Sequence, residues 1–352
     1  MNQSWSALDV VNLTRHFGEG KGLHDISLTI GEGEIASLVG HSGCGKSTLL
    51  RIVAGIERPD SGSVILNGTE VASPAGSVPP EQRSIGFVFQ DYALFPHLTV
   101  EQNIHFGLRH GKRASSPATA EALIAKLGLT DMLGRYPHTL SGGEQQRVAI
   151  ARALAPGARL LLMDEPFSNL DRNLRAQVRS DTLSLLRGLG TTAIIVTHDP
   201  EEALSCGDRV VLMRAGRIVQ QGSADDLYET PNSPYAAEFF TAYNKISGVV
   251  RGGRMDSPLG PLPLRGDLAE GAGAIAYIRP QDIVLDPSSD RPVGTIVERL
   301  LMGEIEQVSI SVEGLPQPLI ARSTRRLGAV GNRVGLDFGD RPHLAFPAPD
   351  GN

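Results

Sequence analysis

The chain has 352 residues, a length at which one hydrophobic core usually gives way to two, so two domains are expected. Its composition is that of a soluble globular protein, and a formal net charge of -6 gives no general electrostatic reason to bind nucleic acid or anionic lipid. No run of about eighteen apolar residues and no secretory leader pattern occurs. We therefore expect a cytoplasmic protein that binds no nucleic acid and meets a membrane only through a partner.

Residues 10–243 alternate short apolar runs with helical patterns, which is typical of an α/β domain with a largely buried sheet. Residues 33–39 predict a strand that leads into a glycine-rich loop, and Lys46–Ala54 predicts the helix that leaves it. The apolar run 63–66 is followed by Asn67-Gly68, which supplies the positive φ angles of a tight hairpin turn. An antiparallel β subdomain is therefore expected near the N-terminus.

Two further strands and a helical insertion complete the first predicted domain, residues 1–244. Residues 159–163 and 191–196 are apolar runs that end in polar residues, as central strands do when their C-terminal ends carry a site. Residues 91–158 have a mainly helical pattern, which predicts a helical subdomain.

The composition changes after residue 245. Nearly half of the 23 prolines lie there, and residues 303–312 and 333–338 show the apolar alternation of half-buried strands. A small all-β, barrel-like domain is predicted for residues 245–352.

The glycine-rich loop fits the pattern G-x-x-x-x-G-K-[ST], with a strand before it and a helix after it. Its glycines allow backbone N–H groups to face phosphate oxygens, and the helix N-terminus adds partial positive charge. Lys46 should reach the β and γ phosphates, and the Ser47 hydroxyl should bind Mg²⁺. An accidental lysine in a glycine turn is the alternative, which the flanking elements disfavour. The predicted nucleotide-binding residues are Gly40, His41, Ser42, Gly43, Cys44, Gly45, Lys46, Ser47 and Thr48.

The apolar run 160–163 ends in two adjacent acids, Asp164 and Glu165. Asp164 is expected to hold Mg²⁺ and Glu165 to polarise an attacking water, because only one of two neighbouring side chains can face the metal. Alternatively both acids cap the next helix, which Pro166 would allow. The glycine loop upstream favours the catalytic interpretation.

In order and spacing, these features resemble the nucleotide-binding subunit of an ABC transporter, over about residues 10–243. The resemblance implies an ABC-type P-loop NTPase fold with a parallel core sheet, and it implies ATP and Mg²⁺ as cofactors. The implied motifs are a Walker A loop at 40–48, a Q-loop at Gln90, the signature at 140–145, Walker B at 160–164, the adjacent Glu165, a D-loop at 168–171 and a switch histidine at His198.

The resemblance also implies roles for residues outside the glycine loop. Glu165, His198 and Gln90 would be catalytic: His198 would contact the γ-phosphate and the attacking water. Gln90 would join Ser47 and Asp164 at the metal and connect to the transmembrane partner.

The signature implies a second phosphate cradle, formed by Ser141, Gly142 and Gly143 at a helix N-terminus. In this family the cradle closes on the ATP held by the other subunit, and Asp171 would support that site. No catalytic position is degenerate, so a homodimer with two equivalent sites is expected.

Phe17 lies where this family has an aromatic that stacks on adenine; a core phenylalanine is the alternative. The chain departs from the family pattern at Glu144, where glutamine is usual, and at Asn169, where alanine is common. Neither position holds a group assigned to phosphate, metal or water, so activity should be retained.

The tail resembles the TOBE-like β-barrel of bacterial importers, with 277–282 similar to its Arg-Pro-Glu-Asp element. Ferric-cation importer subunits look closest, at 135–138, 259–263 and Phe346-Pro347. The implied protein is a peripheral ATPase on the cytoplasmic face of the bacterial inner membrane, bound to a permease and indirectly to a periplasmic binding protein. Ferric iron is the expected cargo; polyamine, sulfate, molybdate and thiamine remain alternatives. A soluble ABC ATPase acting on DNA or ribosomes is the alternative of another class.

The permease is expected to meet the helical insertion just after Gln90. The apolar and aromatic residues proposed to line a groove for a partner helix are Tyr92, Leu94, Phe95, Pro96 and Leu98. An ordinary subdomain core is the alternative for each of them.

Overall fold

The computed structural model describes residues 6–18, 20–110, 117–168, 170–286 and 293–349. The chain divides into two compact units, residues 1–229 and 230–352. Of the helices in the described ranges, none is both long and apolar enough to span a bilayer. Position 169 of the expected D-loop lies outside these ranges.

The first unit contains both β-strands and α-helices. Its strands are β1 (Ser6–His16), β2 (Gly22–Gly31), β3 (Ile35–Val39), β4 (Ser61–Leu66), β5 (Thr69–Ser73), β6 (Gly76–Ser77), β7 (Ile85–Val88), β8 (Leu160–Asp164), β9 (Thr192–Thr197), β10 (Arg209–Arg214) and β11 (Arg217–Gly222). Its α-helices are α1 (Lys46–Ala54), α2 (Val100–His110), α3 (Pro117–Lys126), α4 (Gly142–Leu154), α5 (Arg172–Leu189), α6 (Pro200–Cys206) and α7 (Ala224–Glu229).

The core sheet has the order β11-β10-β3-β9-β8-β7, and all neighbours pair in parallel except β10 with β11. In parallel strands the carboxyl ends meet at one edge of the sheet. The glycine loop follows β3, the acids end β8, and His198 follows β9, so the topology brings the three predicted segments to the same edge.

Alternate residues of the central strands pack into two separate apolar cores. On β8, Leu161 and Met163 belong to the core that includes α4, whereas Leu160 and Leu162 belong to the core that includes α1. Both faces of this strand are therefore buried, as parallel sheets covered by helices require.

The second sheet of this unit is antiparallel, in the order β2-β1-β4-β5-β6. Asn67 and Gly68 join β4 to β5 with φ angles of 48° and 75°, as a type I′ hairpin turn requires. The expected antiparallel subdomain is confirmed.

Arg83 joins this antiparallel sheet to the C-terminal end of α1. The side chain is 5% exposed and donates five hydrogen bonds: two to the Ile52 and Val53 carbonyls at the end of α1, and three to Val71, Ser77 and Val78. Burial lowers the pKa of Arg83 to about 10. A cation at the C-terminal carbonyls also complements the helix dipole.

The helices expected for 91–158 are present as α2, α3 and α4. Asn103, fully buried on α2, orders the chain that precedes this helix. Its amide donates to the carbonyls of Phe95, Leu98 and Thr99, and its Oδ1 accepts from Phe95 N.

The second unit is β-rich and contains one α-helix in the described residues, α8 (Pro234–Phe240). Its strands are β12 (Asn244–Arg251), β13 (Arg254–Ser257), β14 (Gly260–Arg265), β15 (Gly273–Ile278), β16 (Val284–Asp286), β17 (Val293–Met302), β18 (Ile305–Val312), β19 (Leu319–Ser323), β20 (Arg333–Asp337) and β21 (His343–Pro347). Strands β12-β13-β14-β21-β15 close into a barrel, and β16-β20-β17-β18-β19 form a five-stranded sheet. Buried Asn244 on β12 joins the two, since it exchanges hydrogen bonds with the backbone of Ile320 on β19.

The division between the units lies fifteen residues before the boundary expected from composition, 244/245. Residues 230–243 group with the β-rich unit because α8 packs there. Tyr277 donates its hydroxyl hydrogen to Glu238 on α8 over 3.0 Å, and Lys245 Nζ lies 2.6 Å from the same carboxylate. The proline content rises only after this helix, so composition alone placed the boundary late.

Candidate functional site

The glycine loop between β3 and α1 packs against neighbouring atoms that leave no room for a Cβ at two of its positions. Gly40 has φ 154°, and a Cβ added there would lie 2.3 Å from the Met213 carbonyl oxygen. At Gly45, with φ 107°, a Cβ would lie 2.6 Å from Leu23. Glycine at these positions lets the loop turn close to the sheet.

Lys46 is the first residue of α1 and is 6% exposed. Its Nζ donates to the carbonyl oxygens of Gly40 over 2.6 Å and His41 over 3.2 Å, so the ammonium lies across the loop. Within the described residues no side chain caps the N-terminus of α1. A buried cation and an uncapped helix N-terminus together favour an anionic ligand such as a phosphate.

The other loop residues have different exposures. His41, Ser42 and Gly43 are exposed, whereas Cys44 is buried beneath them at 5% exposure. Ser47 and Thr48 follow Lys46 on the first turn of α1 and are half-buried.

Ser47 and Asp164 form the candidate metal position. Ser47 Oγ donates to Asp164 Oδ1 over 3.4 Å. Burial raises the pKa of Asp164, and the charge of Glu165 adds to this, while the hydrogen bond from Ser47 opposes it. A hydroxyl and a carboxylate are the oxygen donors that Mg²⁺ takes when substrate phosphates and water complete its shell, so these residues fit the ion.

Glu165 and His198 meet at the carboxyl edge of the core sheet. Asp164 pairs with Val196, and Glu165 N donates to the Val196 carbonyl, so the ends of β8 and β9 are level. Glu165 Oε2 lies 3.1 Å from His198 Nδ1. Glu165 has φ 47°, a left-handed conformation that costs a residue with a Cβ about 1–3 kcal/mol and is often found at functional sites.

Gln90 approaches the same group through Ser168. Gln90 Nε2 donates to Ser168 Oγ over 3.2 Å, and Ser168 Oγ donates to the Glu165 carbonyl over 2.9 Å. A small cavity of about 50 Å³, enough for a few waters, is lined here by Glu165, Ser168, Arg175, Thr197, His198, Asp199 and Glu202. Glu165 and His198 therefore line one polar space, and Gln90 is linked to it through Ser168.

The signature serine begins α4 with a capping box. Ser141 N donates to Glu144 Oε2 over 2.6 Å, and Glu144 N donates to Ser141 Oγ over 3.4 Å. Glu144, where the chain departs from the family pattern, thus has a structural role that either glutamate or glutamine can fill. Gly142 and Gly143 pack closely, because added Cβ atoms would lie 2.7 Å from Leu170 and 3.1 Å from Val178.

Glu144→Ala should lower the stability of the first unit by about 1 kcal/mol at pH 7, a fall in Tm of about 2–4 °C. The backbone hydrogen bond from Ser141 is the main cause of the lowered pKa of Glu144. A carboxyl whose pKa is lowered by folding stabilises the folded state at pH values above its unfolded pKa. This stabilisation is lost as the pH falls through its folded pKa. The Tm difference between wild type and variant should therefore shrink on going from pH 7 to pH 4; a difference that does not change with pH would contradict the box.

Phe17 is 47% exposed, so the core alternative is wrong. The Arg15 guanidinium lies 5.0 Å from the centre of its ring and is held by Asp60 over 2.7 Å. Arg15 thereby covers one face of the exposed Phe17 ring.

Asp171 caps α5, since its Oδ1 accepts from Leu174 N over 3.0 Å.

Tyr92, one of the proposed groove residues, is only 5% exposed, and its hydroxyl donates to the Pro166 carbonyl over 3.3 Å. Tyr92 therefore belongs to the core, while Leu94 and Phe95 are half-buried. Arg152, which sequence reasoning did not single out, fixes this segment by donating to the carbonyls of Tyr92 and Ala93.

The ABC transporter family profile matches residues 23–168 of the chain. A sulfate/thiosulfate import ATP-binding protein of Chromobacterium violaceum is 42% identical over 315 residues, which cover 88% of this chain and 85% of that protein. A putrescine transport ATP-binding protein of Escherichia coli is 38% identical over 314 residues, 85% and 82% of the two chains. An Fe(3+) ions import ATP-binding protein of Rhodococcus jostii is 41% identical over 348 residues, 97% and 99% of the two chains.

A solved structure agrees with these similarities in sequence. The CbiO1 protein of Clostridium perfringens, described as part of an ABC transporter complex, superposes with a TM-score of 0.57 at 29% identity, over 64% of this chain and 92% of that one. The expected fold class is confirmed.

Proposed function

Because the chain belongs to the ABC transporter family, as an ATP-binding subunit of the importer type, we propose that two copies of it hydrolyse ATP between them to drive import through a membrane permease. The observation that carries this proposal is the meeting of Glu165 with His198 at the sheet edge that also bears the Lys46 loop.

Each group at this edge has a chemical task. The loop backbone, Lys46 and the N-terminus of α1 hold the phosphates, and Glu165 accepts a proton from the attacking water. His198 orients the Glu165 carboxylate and contacts the γ-phosphate. Ser47 and Asp164, with Gln90, would hold Mg²⁺, which neutralises charge on the phosphates.

The second half of each ATP site comes from the other copy. Ser141, Gly142 and Gly143 lie at the start of a 13-residue helix, where backbone N–H groups favour a phosphate. Asp171 supports the partner's site, and Phe17 stacks on adenine. We place the dimer on the cytoplasmic face of the inner membrane, bound to a permease that receives cargo from a periplasmic binding protein.

Ferric iron remains the proposed cargo. It is supported by segments 135–138 and 259–263, by Phe346-Pro347, and by an Fe(3+) relative that aligns over 97% of this chain. The sulfate/thiosulfate and putrescine relatives have similar identities, so those cargoes are the competing candidates.

We assign the second unit to the TOBE-like class, as a domain that binds a regulatory ligand or extends the dimer contact. Its closed barrel agrees with this assignment, and Pro280–Asp282, within the segment that resembles the family element, forms a short 3-10 helix after β15. At the end of β17, Leu300, Leu301 and Met302 are exposed, and clustered exposed apolar residues are common at contact surfaces.

The proposal is tested by reconstituting the full chain with its permease in proteoliposomes. ATP hydrolysis should rise when the periplasmic binding protein is supplied with ferric iron, and not when it is supplied with sulfate or putrescine. Stimulation by sulfate or putrescine instead would overturn the cargo alone. Recovery of the chain with ribosomes or DNA, and not with a permease, would overturn the importer function.

A further inference from the structure

We propose that Glu202 and Arg175 act as a positioning pair, which holds the turn that carries His198 against the chain segment that follows Glu165. The inference rests on the proposed ATP hydrolysis, because it concerns how the hydrolytic groups are aligned. Neither residue belongs to the motifs that predicted the site, and we assign neither of them a contact with the nucleotide.

Glu202 holds the histidine turn through Thr197. The Glu202 side chain is buried on α6, and its Oε2 accepts a hydrogen bond of 2.6 Å from Thr197 Oγ1. The same Thr197 oxygen accepts from Asp199 N over 3.0 Å. His198 lies between Thr197 and Asp199 in the chain. The Thr197 hydroxyl and the Glu202 carboxylate therefore fix the backbone on both sides of it.

Arg175 holds the other side of the site. Its Nη2 donates to the carbonyl oxygens of Leu170 over 3.0 Å and Ser168 over 3.4 Å. Its Nε faces Glu202 Oε1 at 4.0 Å, an ion pair too long to be a direct hydrogen bond. The Glu202 carboxylate therefore lies between two elements: Thr197 at the end of β9 and Arg175 on α5.

The segment fixed by Arg175 in turn supports Glu165. Ser168 Oγ donates to the Glu165 carbonyl, and Glu165 has a left-handed φ that its neighbours must maintain. Removing either member of the pair should thus loosen the 3.1 Å approach of Glu165 Oε2 to His198 Nδ1. A misplacement of about 1 Å in such a site can lower a rate by about 10²-fold.

Burying a carboxylate costs free energy that the attraction of its partner only partly offsets. A buried ion pair is therefore weak evidence for a role in stability, which leaves room for a role in positioning. Arg175, Thr197 and Glu202 line the same small cavity as Glu165 and His198. A pair that lines this cavity and contacts the segments on both sides of it, through Thr197 and through the Ser168 carbonyl, is suited to setting how those segments are aligned.

The test compares ATP hydrolysis and ATP binding in full-length variants. Glu202→Gln keeps an acceptor for Thr197 but removes the charge that faces Arg175, and Arg175→Met removes the guanidinium. Each should lower kcat about 10-fold or more and leave the Kd for ATP within about twofold of wild type. The double variant should fall no further than the slower single variant, because both remove one shared interaction.

Two further comparisons separate positioning from folding. Thr197→Ser keeps the hydroxyl and should retain kcat within about twofold, whereas Thr197→Val removes the hydrogen bonds to Glu202 and Asp199 and should lower kcat about 10-fold or more. Glu201→Gln is the matched control, since Glu201 is an exposed carboxylate on the same helix. Arg175→Lys should restore part of the Arg175→Met loss, and it stays informative if Arg175→Met does not fold.

The inference is overturned if kcat is unchanged in Glu202→Gln and Arg175→Met, or if their losses multiply in the double variant. It is equally overturned if each loss of kcat is matched by the loss of ATP affinity or follows the fall in Tm. A wild-type chain that binds ATP without hydrolysing it, even with permease, would instead overturn the proposed function. The two failures are therefore distinguishable.

Discussion

Glu165→Gln should lower the turnover of bound ATP by about 10²–10⁴-fold, because glutamine has nearly the same shape but cannot take a proton from water. Glu165 Oε2 lies 3.1 Å from His198 Nδ1, and an amide can keep a hydrogen bond at that position. The variant should therefore bind ATP normally and accumulate as an ATP-bound dimer.

Single-turnover hydrolysis and sedimentation velocity with and without ATP measure these two effects. Glu201→Gln removes an exposed carboxylate close to His198 in the sequence and should behave as wild type in both assays. A Glu165→Gln variant that stays monomeric with ATP would argue against the shared site, and one that keeps full turnover would remove Glu165 from the chemistry.

Lys46→Ala should weaken ATP binding by about 10²-fold. The ammonium would make charge-assisted hydrogen bonds to phosphate oxygens, each worth about 1.5–3 kcal/mol, and 1.4 kcal/mol corresponds to tenfold in Kd. The loss should fall on affinity for ATP and ADP and be absent for adenosine, which has no phosphate. Equilibrium binding of the three ligands measures it.

Lys46 also donates to the Gly40 and His41 carbonyls, so its removal could alter the loop as well as the ligand contact. A Tm close to that of wild type separates the two effects. Lys126→Ala, at the exposed end of α3, is the matched control and should leave nucleotide affinity unchanged. Equal loss for adenosine and ATP would show that Lys46 supports the loop and not the phosphates.

The sequence could predict those parts of the site whose conformation is determined by residues adjacent in the chain. The helix Lys46–Ala54 begins and ends where its pattern indicated, and Asn67-Gly68 forms the expected turn because two adjacent residues determine its φ angles. Strand β8 ends at Asp164, one residue after the predicted end at 163. An apolar run indicates a buried strand, but it does not show whether the first polar residue after the run still belongs to the strand.

The contacts that join distant segments could not be predicted in this way. Arg175 and Glu202 are separated by 27 positions, and no spacing rule links an arginine on one helix to a glutamate on another. Arg83 reaches carbonyls of Ile52 and Val71, which have no side-chain signature to recognise. The capping box at Ser141 is different, because a serine followed three residues later by a glutamate is a readable pattern.

The two buried faces of β8 affect how reliably the chain can fold. A strand that is apolar on one face is held in register by that face, since a slip of one residue would expose it to water. With Leu160 and Leu162 on one side and Leu161 and Met163 on the other, a slip of β8 against β9 would leave apolar groups buried on both sides. Such a slip would, however, shift Glu165 relative to His198 and break the hydrogen bond from Glu165 N to the Val196 carbonyl. The polar end of this strand therefore distinguishes the correct register from a slipped one, so the groups that we propose for hydrolysis also mark the aligned sheet.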